Sequence, residues 1–104
     1  MPDDEVLRRR LQNMLEGGLT TEVEPRAYEH EQVLEVTDRL RGLPADDYEG
    51  KLRVAGFTLD PYGSGDDAQA CETCMYYVLH RKFCELPELM LPVEAQWSCR
   101  LWRI

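Results

Sequence analysis

The chain has 104 residues, 43% hydrophobic and 31% charged, with a net charge of −8, which bounds it to one domain or one domain with a helical arm. An acidic surface without a basic stripe argues against nucleic acid or an anionic membrane as the main partner. No run approaches the roughly 20 apolar residues that a membrane span requires. The acidity is local: residues 1–70 hold 16 acids against 8 bases, whereas residues 71–104 hold 4 of each.

In chain order, Met1 to Gly18 reads as a short amphipathic helix. Asp3 or Asp4 caps it, Leu7, Leu11, Met14 and Leu15 recur at the 3.6 period, and the arginines lie mostly off that apolar face. Gly17-Gly18 stops it. The stripe has two possible uses, packing on its own domain or docking onto a larger protein. The triplet Arg8-Arg9-Arg10 lacks the apolar core that follows the arginines of an export leader, so a cytoplasmic chain is expected.

A second helix is predicted from about Pro25 to Arg41, with Val33, Leu34, Val36 and Leu40 buried and Glu29, Glu31, Glu35 and Asp38 in solvent. His30 sits among these glutamates and reads as a surface histidine. Pro44 to Ala55 is a third helix, weakened by Gly50 and stopped by Gly56; a strand over Leu52 to Leu59 is the competing assignment. Asp60 to Asp67 is rich in turn formers and divides an acidic, mainly helical region (1–65) from a cysteine-rich module (66–104).

That module holds all four cysteines, Cys71, Cys74, Cys84 and Cys99, and five of the nine aromatics. So short a segment needs a cross-link to fold. In a reducing compartment clustered cysteines more often bind metal than pair. Cys71-x2-Cys74 is a chelating turn that points two thiolates at one centre. Met75 to Leu79 reads as a strand, His80-Arg81-Lys82 as a turn and Phe83-Cys84 as the return strand, which brings Cys84 beside the first pair. Trp97 to Ile104 is a further candidate strand delivering Cys99, and Pro87 and Pro92 keep the segment between extended. Three chemistries fit: an iron–sulfur cube with one thiolate per iron, a closed tetrahedral zinc site, or two disulfides. The single two-residue turn plus two isolated cysteines leans towards the cube, and the aromatics offer it a water-excluding shell. Trp97 and Trp102 have a plainer role as the module's core. His80 is a possible substitute ligand but reads as an exposed turn residue, and Arg81, Lys82, Arg100 and Arg103 read as solvated flanking charges.

The segment resembles the high-potential iron–sulfur proteins in Cys71-Glu72-Thr73-Cys74 followed by Tyr76-Tyr77, in Cys84-Glu85-Leu86-Pro87, and in Trp97-Ser98-Cys99 with Trp102 beyond. It is also similar to the small cluster-binding subunits of glycyl radical enzymes such as benzylsuccinate synthase. The gap from Cys74 to Cys84 is shorter than that family's, and the phenylalanine of its Leu-Phe-Pro motif is absent. The resemblance implies a [4Fe–4S] cluster held by Cys71, Cys74, Cys84 and Cys99. With no nucleophile–base pair, phosphate loop or spaced carboxylate pair in the first seventy residues, the chain reads as non-catalytic on its own. The expectation is a small α+β metal-bound domain, with N-terminal helices and a short antiparallel β metal-binding tail. Its role is an accessory subunit of a larger, catalytic protein, with a soluble electron carrier and a structural zinc protein as alternatives.

Overall fold

The apolar period of the first segment does wind a helix, and its stripe is spent inside this chain. In the computed structural model, which describes residues 2–24, 26–63 and 68–103, α1 runs Pro2–Glu16. Leu11 is fully buried, and Leu7, Met14 and Leu15 pack against the same core. The described residues continue with α2 (His30–Arg41), α3 (Tyr48–Ala55), a single 3-10 turn at Cys71–Thr73, and three two-residue strands. The strands are β1 (Tyr77–Val78), β2 (Phe83–Cys84) and β3 (Leu91–Pro92), joined in the order β1-β2-β3. Both pairings are antiparallel: Tyr77 faces Cys84, Val78 faces Phe83, Phe83 faces Pro92 and Cys84 faces Leu91. Proline lacks an N–H to donate, and β3 is an edge strand, where that loss is tolerated. The whole is a small α+β domain of three helices and a three-stranded antiparallel sheet.

Helix α2 starts at His30 rather than near Pro25, which lies outside the described residues. The reason is competition for the backbone upstream. The Ala27 N–H donates to the Arg100 carbonyl (3.1 Å), and Glu29 closes a capping box with Gln32, a reciprocal pair that marks a helix start. His30 is exposed at that start. The buried side of α2 is Val36, Thr37 and Leu40, with Val33 partly covered, while Leu34 is 42% exposed and does not belong to it.

Helix α3 is shorter than the sequence implies, because Asp47 caps it by accepting from the Gly50 N–H (3.1 Å). That cap also explains the glycine within the helix. A Cβ on Gly50 would stand 2.5 Å from the Asp47 carboxylate oxygen. The competing strand does not form; only Thr58 makes a lone bridge, to Ser98. Gly56 ends α3 in the left-handed conformation (φ 68°), and a Cβ there would lie 2.3 Å from the Glu22 carbonyl oxygen. Both objections fall on rigid backbone, so Gly56→Ala is expected to destabilise the fold by roughly 2–4 kcal/mol. A urea midpoint equal to wild type would refute this.

The module beyond residue 66 is more irregular than predicted. Its first strand is only Tyr77–Val78, and 97–103 forms no strand beyond the Ser98 bridge; Ile104 lies outside the described residues. The third strand comes instead from Leu91–Pro92, whose side chains are buried. Ser64 to Asp67 of the predicted loop also lie outside the described residues, but Tyr62 and Gln69 on either side form an antiparallel bridge. One core runs through both regions, joining Leu11, Leu40, Leu52 and Phe57 to Leu89, Leu91, Trp97 and Leu101.

Of the four charges expected to be solvated, Lys82 is exposed and Arg81 and Arg103 are partly so, but Arg100 is buried; Arg8, off the apolar face of α1, is buried too. Arg8 is 4% exposed and Arg100 is equally buried. Arg8 donates from Nε to the Val93 carbonyl (3.0 Å) and from an Nη to the carbonyls of Arg81 (3.0 Å) and Lys82 (2.9 Å). It therefore fastens α1 to the turn between β1 and β2, where Lys82 has a positive φ of 52°. Asp4 adds a second tie, accepting from Arg81 at 2.7 and 3.2 Å. This hydrogen bond, strengthened by the guanidinium charge, holds the Asp4 carboxyl below the usual aspartate range. A depressed folded value means stability that is present above the unfolded aspartate value and lost as pH falls through the folded one. Asp4→Asn should thus be less stable than wild type at neutral pH, with the gap in urea midpoints closing on acidification. A gap that stays constant with pH would contradict the linkage.

Candidate metal centre

Cys71 and Cys74 owe their positions to a turn pinned at both ends. The Cys71 N–H donates to the Trp97 carbonyl (2.6 Å), Glu72 N–H to Ala95 (3.0 Å), and Cys74 N–H closes the turn onto the Cys71 carbonyl (3.0 Å). Cys84 arrives on β2, held between Tyr77 and Leu91. Cys99 follows Ser98, whose backbone exchanges both hydrogen bonds with Thr58 (2.8 and 3.1 Å) and whose hydroxyl lies 2.7 Å from that of Thr58. Three separate local structures thus deliver four sulfurs to one place. All four cysteines line a single small, largely apolar pocket together with Phe57, Tyr77 and Trp102.

The pocket is sheltered. Cys71, Cys84 and Cys99 are buried, and Cys74 alone is partly exposed. All four are free thiols in this structure. Burial pushes the Cys84 thiol up to about 12 and also raises Cys71 and Cys99 well above the ordinary thiol value, with the other cysteines adding mutual repulsion between thiolates. The backbone amides of Leu86 and Leu101 work in the opposite direction, lowering Cys84 and Cys99 respectively. Both segments are a Cys-x-Leu in which the leucine is buried. Uncoordinated, such buried thiols stay protonated and inert; a bound cation deprotonates a coordinating thiol outright.

Among the described residues, no three His, Cys, Asp or Glu side chains are gathered closely enough to hold one metal ion. The cysteines share a pocket, then, without meeting at a point. His80 is exposed on the turn and does not line the pocket. The two tryptophans divide the roles expected of them. Trp97 is fully buried core, whereas Trp102 lines the pocket and donates from Nε1 to the Ala70 carbonyl and the Thr73 hydroxyl (3.0 Å each).

Two residues near the site escape a reading of the sequence. Phe57 comes from just past α3, far from any cysteine in sequence, and only its position after the helix-stopping Gly56 hints that it turns inward. Arg26 reaches the site from the segment before α2, donating to the Cys99 carbonyl (2.8 Å). No motif signals either.

Fold and site together define a small α+β domain in which four free thiols from three local structures converge on one sheltered, aromatic-lined pocket. The chain matches no family model, none of the curated proteins and none of the solved structures. No helix among the described residues is long and apolar enough to cross a membrane.

Proposed function

We propose that Cys71, Cys74, Cys84 and Cys99 hold a [4Fe–4S] cluster and that the chain is a small accessory module of a larger catalytic protein, its centre mainly structural. The observation that carries this reading is the convergence of all four cysteines, and among the described residues of no other titratable side chain except Tyr77, on one apolar pocket. The donor set fits the group. A cube takes one thiolate per iron and so needs its four sulfurs spread around a pocket. The aromatic lining of Phe57, Tyr77 and Trp102 supplies the water exclusion that tunes such clusters. The cluster, when bound, supplies a covalent cross-link between three segments and a one-electron redox couple.

The accessory role follows from what surrounds the centre. The apolar stripe of α1 is consumed by the chain's own core, so a larger partner would meet other faces, where Val6, Met75 and Leu79 stand more than half exposed. A soluble electron carrier is the second reading, favoured by the partial exposure of Cys74 and Trp102, which leaves one edge of the pocket near the surface. Purification without oxygen tests the central claim. A coloured protein with about four irons and matching sulfide per chain is expected; a colourless protein, whether with one zinc or no metal, overturns it. Co-purification with a large enzyme then separates the accessory role from that of a free carrier.

A further inference from the structure

Arg26 is a buried cation whose bonded partners among the described residues are all neutral. It is 6% exposed. One Nη donates to the Gln69 side-chain oxygen (2.7 Å) and to the Cys99 carbonyl (2.8 Å), and the other to the Val23 carbonyl (3.4 Å). Its Nε is buried without a partner. The ring of Tyr62 covers the guanidinium at 3.9 Å. The nearby carboxylates are engaged elsewhere. Glu24 accepts from the Tyr62 hydroxyl, while Glu22 is bridged to Arg39 and lies 3.8 Å from Arg100. Arg100, the other buried arginine beside Cys99, also has unpartnered nitrogens (Nε and one Nη) but faces the Glu22 carboxylate at 3.8 Å, whereas Arg26 has no acid among its bonded neighbours in the described residues.

A guanidinium stays charged in proteins, and an uncompensated buried charge is a costly arrangement. It becomes favourable if negative charge lies nearby in the loaded protein. Arg26 touches the backbone of Cys99, whose sulfur lines the pocket. We infer that Arg26 is the charge-balancing residue of the centre: its fixed positive charge offsets the anionic cluster from the Cys99 side and raises the cluster's reduction potential. This rests on the iron–sulfur reading above. Net charge and solvent exposure are among the levers that set such potentials. Behind Tyr62, the field of Arg26 crosses protein rather than water and is weakly screened. When the cluster accepts one electron from an external reductant its negative charge grows by one, and a nearby cation favours that state. Arg26 is no ligand of the centre; it touches only the Cys99 carbonyl and acts by its charge.

The test is a redox titration of the anaerobically prepared full chain with dithionite, followed by the cluster's visible absorption. Wild type first has to contain iron and sulfide; a protein without them overturns both this inference and the cluster reading. A loaded cluster that accepts no electron overturns the inference alone. In Arg26→Gln, at the potential where wild type is half reduced, the reduced-to-oxidised ratio should fall about tenfold, equivalent to about 59 mV for a one-electron couple. Arg26→Lys keeps the charge while losing the planar fork, and should titrate close to wild type. Gln69→Glu leaves Arg26 in place but sets a carboxylate against it, and should lower the potential in the same direction. That variant carries the test if Arg26→Gln does not fold. Potentials unchanged in both Arg26→Gln and Gln69→Glu, or Arg26→Lys falling as far as Arg26→Gln, would show that Arg26 only braces the Cys99 backbone.

Discussion

With the proposed cluster bound, Cys99→Ser should strip iron from the protein and loosen the whole region from Cys71 to Trp102. Of the four proposed ligands, Cys99 depends on distant partners: its carbonyl accepts from Arg26, and the preceding Ser98 pairs with Thr58. Serine is close in shape but a poor ligand for iron, so the cluster would lose one of four tethers while the packing stays nearly the same. The free energy at stake is large, because ligands brought together only in the folded state turn metal affinity into folding energy. Structural zinc peptides set the scale at about 10–16 kcal/mol of apparent binding energy. A sulfur-to-oxygen change in an ordinary core would cost only about 1–3 kcal/mol.

Two measurements separate these cases. Anaerobically prepared Cys99→Ser should contain less than about half the wild-type iron, and its stability should match that of chelator-treated wild type. Hydrogen exchange should show lost protection at the amides of Cys71, Cys74 and Cys84 in both. A variant as stable as untreated wild type, with those amides still protected, would show that the cysteines only fill space.

Arg8→Met should cost roughly 3 kcal/mol and weaken the centre from a distance. Methionine keeps much of the stem's packing, so the loss falls on three accepted hydrogen bonds, from Val93, Arg81 and Lys82. A buried acceptor left unpaired costs about 1–3 kcal/mol, less where water can enter. Val93 is fully buried, while Lys82 is exposed on the turn, so the unpaired Val93 carbonyl should dominate. The Arg8 contacts hold the turn whose return strand carries Cys84, and the Val93 N–H itself donates to the Lys82 carbonyl (2.9 Å). Faster exchange at the Val93 amide, together with a lower urea midpoint, is the expected signature. An unfolding free energy within about 0.5 kcal/mol of wild type would place Arg8 among ordinary surface residues.

Both predictions draw on contacts that a linear reading finds poorly. The helices were legible because a 3.6-residue period and glycine stops are local signals, and α1, α2 and α3 all appear where apolar residues recur. Their ends were less so. The start of α2 depends on Ala27 being held by Arg100, a contact across more than seventy residues. The hairpin over Tyr77 to Cys84 was legible from its turn residues, yet the third strand came from Leu91–Pro92, a segment whose proline argued for mere extension. Arg8 looked like a surface charge because its side chain reaches three carbonyls that only the folded chain brings together.

The candidate site divides in the same way. The sequence by itself determined that Cys71 and Cys74 would share a turn and that a hairpin would return Cys84 beside them, because each of these is a matter of spacing within about a dozen residues. Only the tertiary structure decided that Cys99 meets the others, that Phe57 closes the pocket from the helical side, and that Arg26 lies against the Cys99 backbone. Those placements follow from burial of one continuous core across both regions of the chain. A core is a property of the packed whole, and no local pattern of residues encodes which distant face will complete it.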